Sequence, residues 1–110
     1  NTFAAHLELP NTSFINPHGM NPGNRSTAAD INRLALFYLE EPKLMTICNT
    51  KIHLIKAYSV PGVRTVPLEN TNRLLGNGSS ALKTGTTISA GACLCAYSPG
   101  SNMVITVLHS

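Results

Sequence analysis

The sequence has no tryptophan, few aromatic residues (5%) and few charges (12%). Nucleic-acid-binding domains present a basic stripe with stacking aromatics, and neither is written here. The eight basic residues, Arg25, Arg33, Lys43, Lys51, Lys56, Arg64, Arg73 and Lys83, are scattered, and the net charge is only +3. A nucleic-acid partner is therefore not expected. No apolar run approaches the length of a membrane-spanning helix, since the richest window, Met103 to Leu108, is only strand length. The N-terminus lacks the basic and apolar segments of a secretory signal. Cysteine is sparse and odd in number: Cys48, Cys93 and Cys95. Three thiols without matching histidines make no recognisable metal set, so neither a metal nor a cofactor is implied. Cys93 and Cys95 fall on one face of an expected strand and read as buried free thiols.

What is present is a 43% hydrophobic chain of 110 residues, enough for a packed core and the size of one small domain. Phe3, Ala4 and Leu7 are spaced as in a helix that Pro10 stops. Between Asn11 and Asn24, repeated Asn, Pro and Gly mark a loop. Ser26 or Thr27 can cap the next helix, with Asp30 at the capping-box offset. Ile31, Leu34, Ala35, Tyr38 and Leu39 form its apolar stripe. Leu36 and Phe37 lie off that stripe, which predicts cover on a second side. Pro42 is expected to end the helix, with a short helical turn over Leu44 to Cys48. Ile52, Leu54 and Val60 to Val66 predict short strands around Pro61-Gly62. The last thirty residues predict a meander: Leu82 to Thr87, Ala90 to Tyr97, a turn at 98–101, and Met103 to Leu108. Both faces of that last strand are apolar, as for a sheet with helices packed against it.

The sharpest motif is Lys83-Thr84-Gly85, followed by Thr86. K-T-G is a signature element of active-site-serine penicillin-binding proteins and class A β-lactamases. On an edge strand the lysine supplies positive potential, and the threonine hydroxyl can bind a carboxylate. The glycine lets a ligand lie against the backbone. Alone the motif is weak, because average residue usage gives a chain this long roughly one chance in forty of carrying it.

Other segments accompany it in one order. They are Asn11-Thr12-Ser13-Phe14-Ile15-Asn16-Pro17-His18-Gly19-Met20, Ser26 to Asp30, Asn70-Thr71-Asn72-Arg73-Leu74-Leu75, and Leu82 to Thr86. This succession resembles the serine-type D-alanyl-D-alanine carboxypeptidases, the low-molecular-mass penicillin-binding proteins, from Asn11 to Leu108. The resemblance implies an α+β fold, an antiparallel sheet flanked by helices. It implies an acyl-enzyme mechanism on peptidoglycan stem peptides ending in D-Ala-D-Ala, outside the cytoplasmic membrane. Carried over by position, Lys83 contributes the strand-side ammonium, and the hydroxyls of Thr84 and Thr86 meet the terminal carboxylate. Gly85 lies under the substrate, and the Thr86 N–H forms half of the oxyanion hole. β-Lactams would acylate the same serine.

The family's other signatures, S-x-x-K and S-x-N, precede the Asn-Pro-His-Gly segment in relatives, and neither stands there in this sequence. The one S-x-x-K, Ser80-Ala81-Leu82-Lys83, reuses the K-T-G lysine and is expected in a loop before a strand, so it reads as coincidence. The arginine that helps bind the carboxylate in relatives would lie beyond Ser110. Residues 1–110 are therefore expected to be the C-terminal portion of one penicillin-binding catalytic domain. The nucleophile would lie outside them, and the missing N-terminal part of the same domain would be a partner. Without it the lone chain is expected to be inactive, and poorly soluble or in need of a partner. A class A-like β-lactamase fragment and a non-catalytic peptidoglycan-binding piece are the alternatives. His18 is expected to brace its loop, Asp30 to serve the helix start, and Arg73 to anchor its segment. His6, His53 and His109 are too dispersed for a zinc site, and Cys48 has no histidine partner for cysteine catalysis.

Overall fold

The structure is a computed structural model that describes residues 1–110, the side chain of residue 81 excepted. Helices α1 (Thr2–His6), α2 (Ala28–Leu39) and α3 (Pro42–Cys48) precede strands β1 (Ile52–Ser59) and β2 (Gly62–Glu69). Strands β3 (Ser80–Thr87), β4 (Gly91–Ser98) and β5 (Met103–Val107) follow. β1 and β2 form one antiparallel hairpin, and β3-β4-β5 form a separate antiparallel sheet. The expected α+β class is the observed one. No helix among the described residues is long and apolar enough to cross a membrane.

Helix α2 begins as its sequence requires, with the Asp30 N–H donating to the Thr27 hydroxyl at 3.2 Å. Its stripe turns inward: Ala35 is buried, and Ile31, Leu34, Tyr38 and Leu39 are half-buried. The second-side cover predicted for Leu36 and Phe37 is slight. Phe37 meets Phe3 of α1 edge-to-face at 5.4 Å, while Leu36 stays exposed. Pro42 does more than end α2. It occupies the first turn of α3, where a missing N–H costs nothing, and Glu41 caps that helix through the Lys43 N–H.

The hairpin is longer than expected, pairing Ile52 with Glu69 through to Ser59 with Gly62. Its faces mix Lys56, Arg64 and Thr65 with apolar residues and stay largely exposed, so no clean two-residue period betrayed its length. The meander matches its expected bounds to within two residues, with β3 starting two residues earlier. Cys95 is buried against α2, and Thr106 is paired opposite it. The alternate residues Met103, Ile105 and Val107 of β5 are exposed. Apolar burial among the described residues is confined to Ala4, Leu9, Ala35, Cys95 and Ala96.

Candidate active-site cleft

Among the described residues, β3 has β4 as its one strand partner, so its outer edge is free. The β3–β4 register shifts between residues 81 and 83, which leaves Leu82 as an extra residue on β3. Such a bulge bends a strand and re-aims the side chains that follow. Lys83, Thr84, Gly85 and Thr86 then pair with Cys95, Leu94, Cys93 and Ala92. All four line one open cleft of about 260 Å³, together with Gly19 and Ile31. A Cβ placed on Gly85 would meet nothing within 4 Å, so the space above this glycine is open. The exposed Lys83 ammonium donates to the Thr84 carbonyl.

Behind the strand, α3 supports the bulge. The Cys48 thiol donates to the Leu82 carbonyl at 3.4 Å and lies 3.6 Å from the Tyr38 hydroxyl. The hydrogen bond with Cys48, burial and the electrostatic influence of Cys48 push the Tyr38 phenol up from 10.0 to about 12. Burial pushes the Cys95 thiol up as well, partly offset by the Thr106 hydroxyl, which donates to its sulfur at 3.2 Å. Cys93 is half-buried, and all three thiols are free. Cys48 thus braces the K-T-G strand.

The segment Asn70 to Leu75 reaches the same strand from another side. Asn70 Nδ2 donates to the carbonyls of Cys48 (2.9 Å) and Thr50 (3.1 Å). Asn70 Oδ1 accepts the Asn72 N–H, and Asn72 Oδ1 accepts the Leu74 N–H. Two successive Asx turns therefore hold the Thr71 backbone, and the Thr71 and Thr84 hydroxyls lie 2.5 Å apart. Asn72 is 5% exposed, with its Nδ2 unpartnered. Arg73, expected to anchor this segment, is exposed instead; Asn70 and Asn72 anchor it. The Asn-x-Asn spacing was a readable turn signal, but the partner of Thr71 was not.

The Asn-Pro-His-Gly loop is braced from within. Asn24 Oδ1 accepts the Ile15 N–H (2.7 Å), and Asn24 Nδ2 donates to Asn16 Oδ1 (3.0 Å). Asn16 Oδ1 also accepts the Gly19 N–H, which holds Gly19 at the cleft. His18 Nδ1 accepts the Met20 N–H at 3.2 Å, the loop-bracing role expected of it. Asp30 lies at the helix start, 5% exposed, and ties down the beginning of the same loop. Ser80 is the first residue of β3, opposite Tyr97, rather than a loop residue before the strand.

A family model described as D-alanyl-D-alanine carboxypeptidase matches residues 1–109. A D-alanyl-D-alanine endopeptidase of Escherichia coli (strain K12) is 33% identical over 97 residues, 86% of this chain and 31% of that protein. The crystal structure of the Streptomyces K15 DD-transpeptidase superposes with a TM-score of 0.87 and 35% identity. It covers 100% of this chain and 45% of its own. Penicillin-binding protein D2 from Listeria monocytogenes, in its cefotaxime-bound form, gives a TM-score of 0.78 at 25% identity, again over 100% and 45%. The chain thus spans less than half the length of each of these proteins.

Proposed function

Because the chain belongs to the D-alanyl-D-alanine carboxypeptidase family, we propose that it is the C-terminal portion of the catalytic domain of a serine peptidase acting on D-Ala-D-Ala peptides of peptidoglycan. In this reading a serine outside these 110 residues attacks the carbonyl of the penultimate D-alanine. The C–N bond breaks, the departing D-alanine amine takes up a proton, and an acyl-enzyme is left. Water then attacks that ester, frees the shortened peptide and restores the serine hydroxyl. β-Lactams acylate the same serine. Acting on that substrate, the protein would work outside the cytoplasmic membrane.

The observation that carries the reading is the gathering of Lys83, Thr84, Gly85 and Thr86 along one open cleft at a free sheet edge. Lys83 supplies positive potential where the serine reacts and where the substrate carboxylate binds. The hydroxyls of Thr84 and Thr86 receive that carboxylate, and the Thr86 N–H faces the developing oxyanion. Gly85 leaves room for the substrate backbone. The name of the E. coli relative favours a second reading, in which the scissile D-Ala-D-Ala-type bond is internal rather than terminal.

The test is made on the intact protein. Mass spectrometry after benzylpenicillin should find a single adduct, on a serine outside residues 1–110. Lys83→Ala should slow acylation by about 10²–10³-fold. Acylation unchanged by Lys83→Ala would overturn the role given to this lysine. Release of D-alanine from a monomeric pentapeptide supports the carboxypeptidase; cleavage confined to cross-linked peptides supports the endopeptidase. Rapid turnover of penicillin without either would make the protein a β-lactamase.

A further inference from the structure

We infer that Thr71 is a positioning residue that sets the direction of the Thr84 hydroxyl proton, and so tunes selection for ligands with a free carboxylate. The inference rests on the proposed role of Thr84 and adds a residue outside the K-T-G strand. A hydroxyl has one proton to give and two lone pairs to receive. Thr84 Oγ1 lies 2.5 Å from Thr71 Oγ1 while Thr84 also lines the cleft. When Thr71 donates to Thr84, the Thr84 proton is left to point elsewhere, and the cleft is the side on which an acceptor would arrive. When Thr84 donates to Thr71 instead, its proton is lost to the ligand. A carboxylate has only acceptor oxygens, so it selects the first arrangement, and the two hydrogen bonds polarise one another.

The backbone of Thr71 is built to hold that hydroxyl in place. Asn70 is bonded to the Cys48 and Thr50 carbonyls at the end of α3. Asn72, beside it, is buried and closes the second Asx turn. Thr71 therefore reaches β3 from a segment fixed on both sides. The same helix end fixes the other partner, since Cys48 bonds the Leu82 carbonyl two residues before Thr84. Cys48, Thr71, Asn72, Lys83 and Thr84 line a small open pocket of about 110 Å³ that shares Lys83 and Thr84 with the main cleft.

The experiment is a double-mutant cycle on the intact protein with Thr71→Val, Thr71→Ser, Thr84→Val and the Thr71→Val/Thr84→Val pair. Acylation is followed with benzylpenicillin and with its methyl ester, which lacks the free carboxylate. Thr71→Val should lower the acid-over-ester preference by about three- to tenfold, mainly through weaker binding rather than slower chemistry. Thr71→Ser, which keeps the hydroxyl, should restore it. In the Thr84→Val background the effect of Thr71→Val should vanish. An equal effect in both backgrounds, or loss of acid and ester reactivity alike, would overturn the proposal. The Thr84 methyl ¹³C shift supplies a readout independent of catalysis, and it should move in Thr71→Val and return in Thr71→Ser. If the wild-type protein takes up no penicillin at all, the functional reading falls with that control. The methyl shift then decides the Thr71–Thr84 coupling by itself: an unmoved shift in Thr71→Val overturns it.

Discussion

The Thr12 hydroxyl donates to the Asp30 carboxylate at 2.7 Å, joining the start of a long loop to the first turn of α2. The Asn11 N–H reaches the same oxygen at 2.9 Å, and Asp30 is almost wholly buried. Asp30→Ala would leave the Asn11 N–H without its acceptor and the Thr12 hydroxyl with only the Ser26 hydroxyl, 2.8 Å away, to donate to, and the expected loss is about 1–3 kcal/mol of stability. Denaturant midpoints of the intact protein check this. A loss below about 0.5 kcal/mol, the range of an ordinary surface change, would show that the loop is anchored elsewhere.

Gly85 gives a prediction in which stability and function part. Its missing Cβ would meet nothing within 4 Å, so Gly85→Val should fold with a melting temperature within about 2 °C of the wild type. The new side chain would occupy the cleft along which Lys83, Thr84 and Thr86 lie. Penicillin acylation should fall by about a hundredfold or more, as expected for a displaced reactant. Unimpaired acylation would place the ligand away from this strand.

At Gly91 the opposite holds. This glycine has φ +65, and a Cβ there would come within 3.2 Å of the His109 Cα and 3.3 Å of the Ser110 carbonyl oxygen. Both contacts are backbone, and Ala92 and Ser110 exchange N–H···O bonds at the same place. Gly91→Ala should cost about 1–3 kcal/mol from the left-handed conformation and the crowding. Thermal melting checks the loss, and faster amide exchange at Ala92 and Ser110 would locate it.

The Tyr38 phenol carries a pH dependence of definite sign. It ionises at about 12 in the native protein and near 10.0 when its surroundings are lost. Between those values the native state keeps a proton that the unfolded chain has released, so stability falls as pH rises. The contribution is complete below pH 10 and lost above about 12. Cys95, its thiol pushed up by burial, acts with the same sign from its own ordinary value of 9.0 upward. Tyr38→Phe should flatten the fall in denaturant midpoint over the phenol's window and remove the phenolate absorbance step near pH 12. A pH profile unchanged by Tyr38→Phe would contradict the Cys48–Tyr38 contact.

Much of the framework was legible because it depends on neighbours in the chain. Thr27 caps α2 because a hydroxyl three residues before an N–H needs no distant partner. The strands of the meander announce themselves through turns and apolar runs. Pro42 misled only in part: the rule that proline ends a helix is also the rule that lets it open the next. The length of the hairpin strands is not legible in the sequence, because neither face is buried enough to impose a period. Asp30 at a helix start and His18 in its loop took the roles their local setting predicts.

By itself, then, the sequence determined the order of elements, the scattered charge without a basic stripe, and the K-T-G strand with its family resemblance. It also held the two Asn residues that fold the 70–74 turn. What only the tertiary structure decided are the contacts that bridge long stretches of chain: Thr12 to Asp30, Cys48 to Leu82, and Thr71 to Thr84. The first joins a loop to the first turn of α2, and the other two join segments that meet at β3, around the bulge at Leu82 and the seat of α3 behind it. No spacing or propensity encodes such a meeting. A hydrogen bond acts over about 3 Å, and only the folded chain brings two hydroxyls that close.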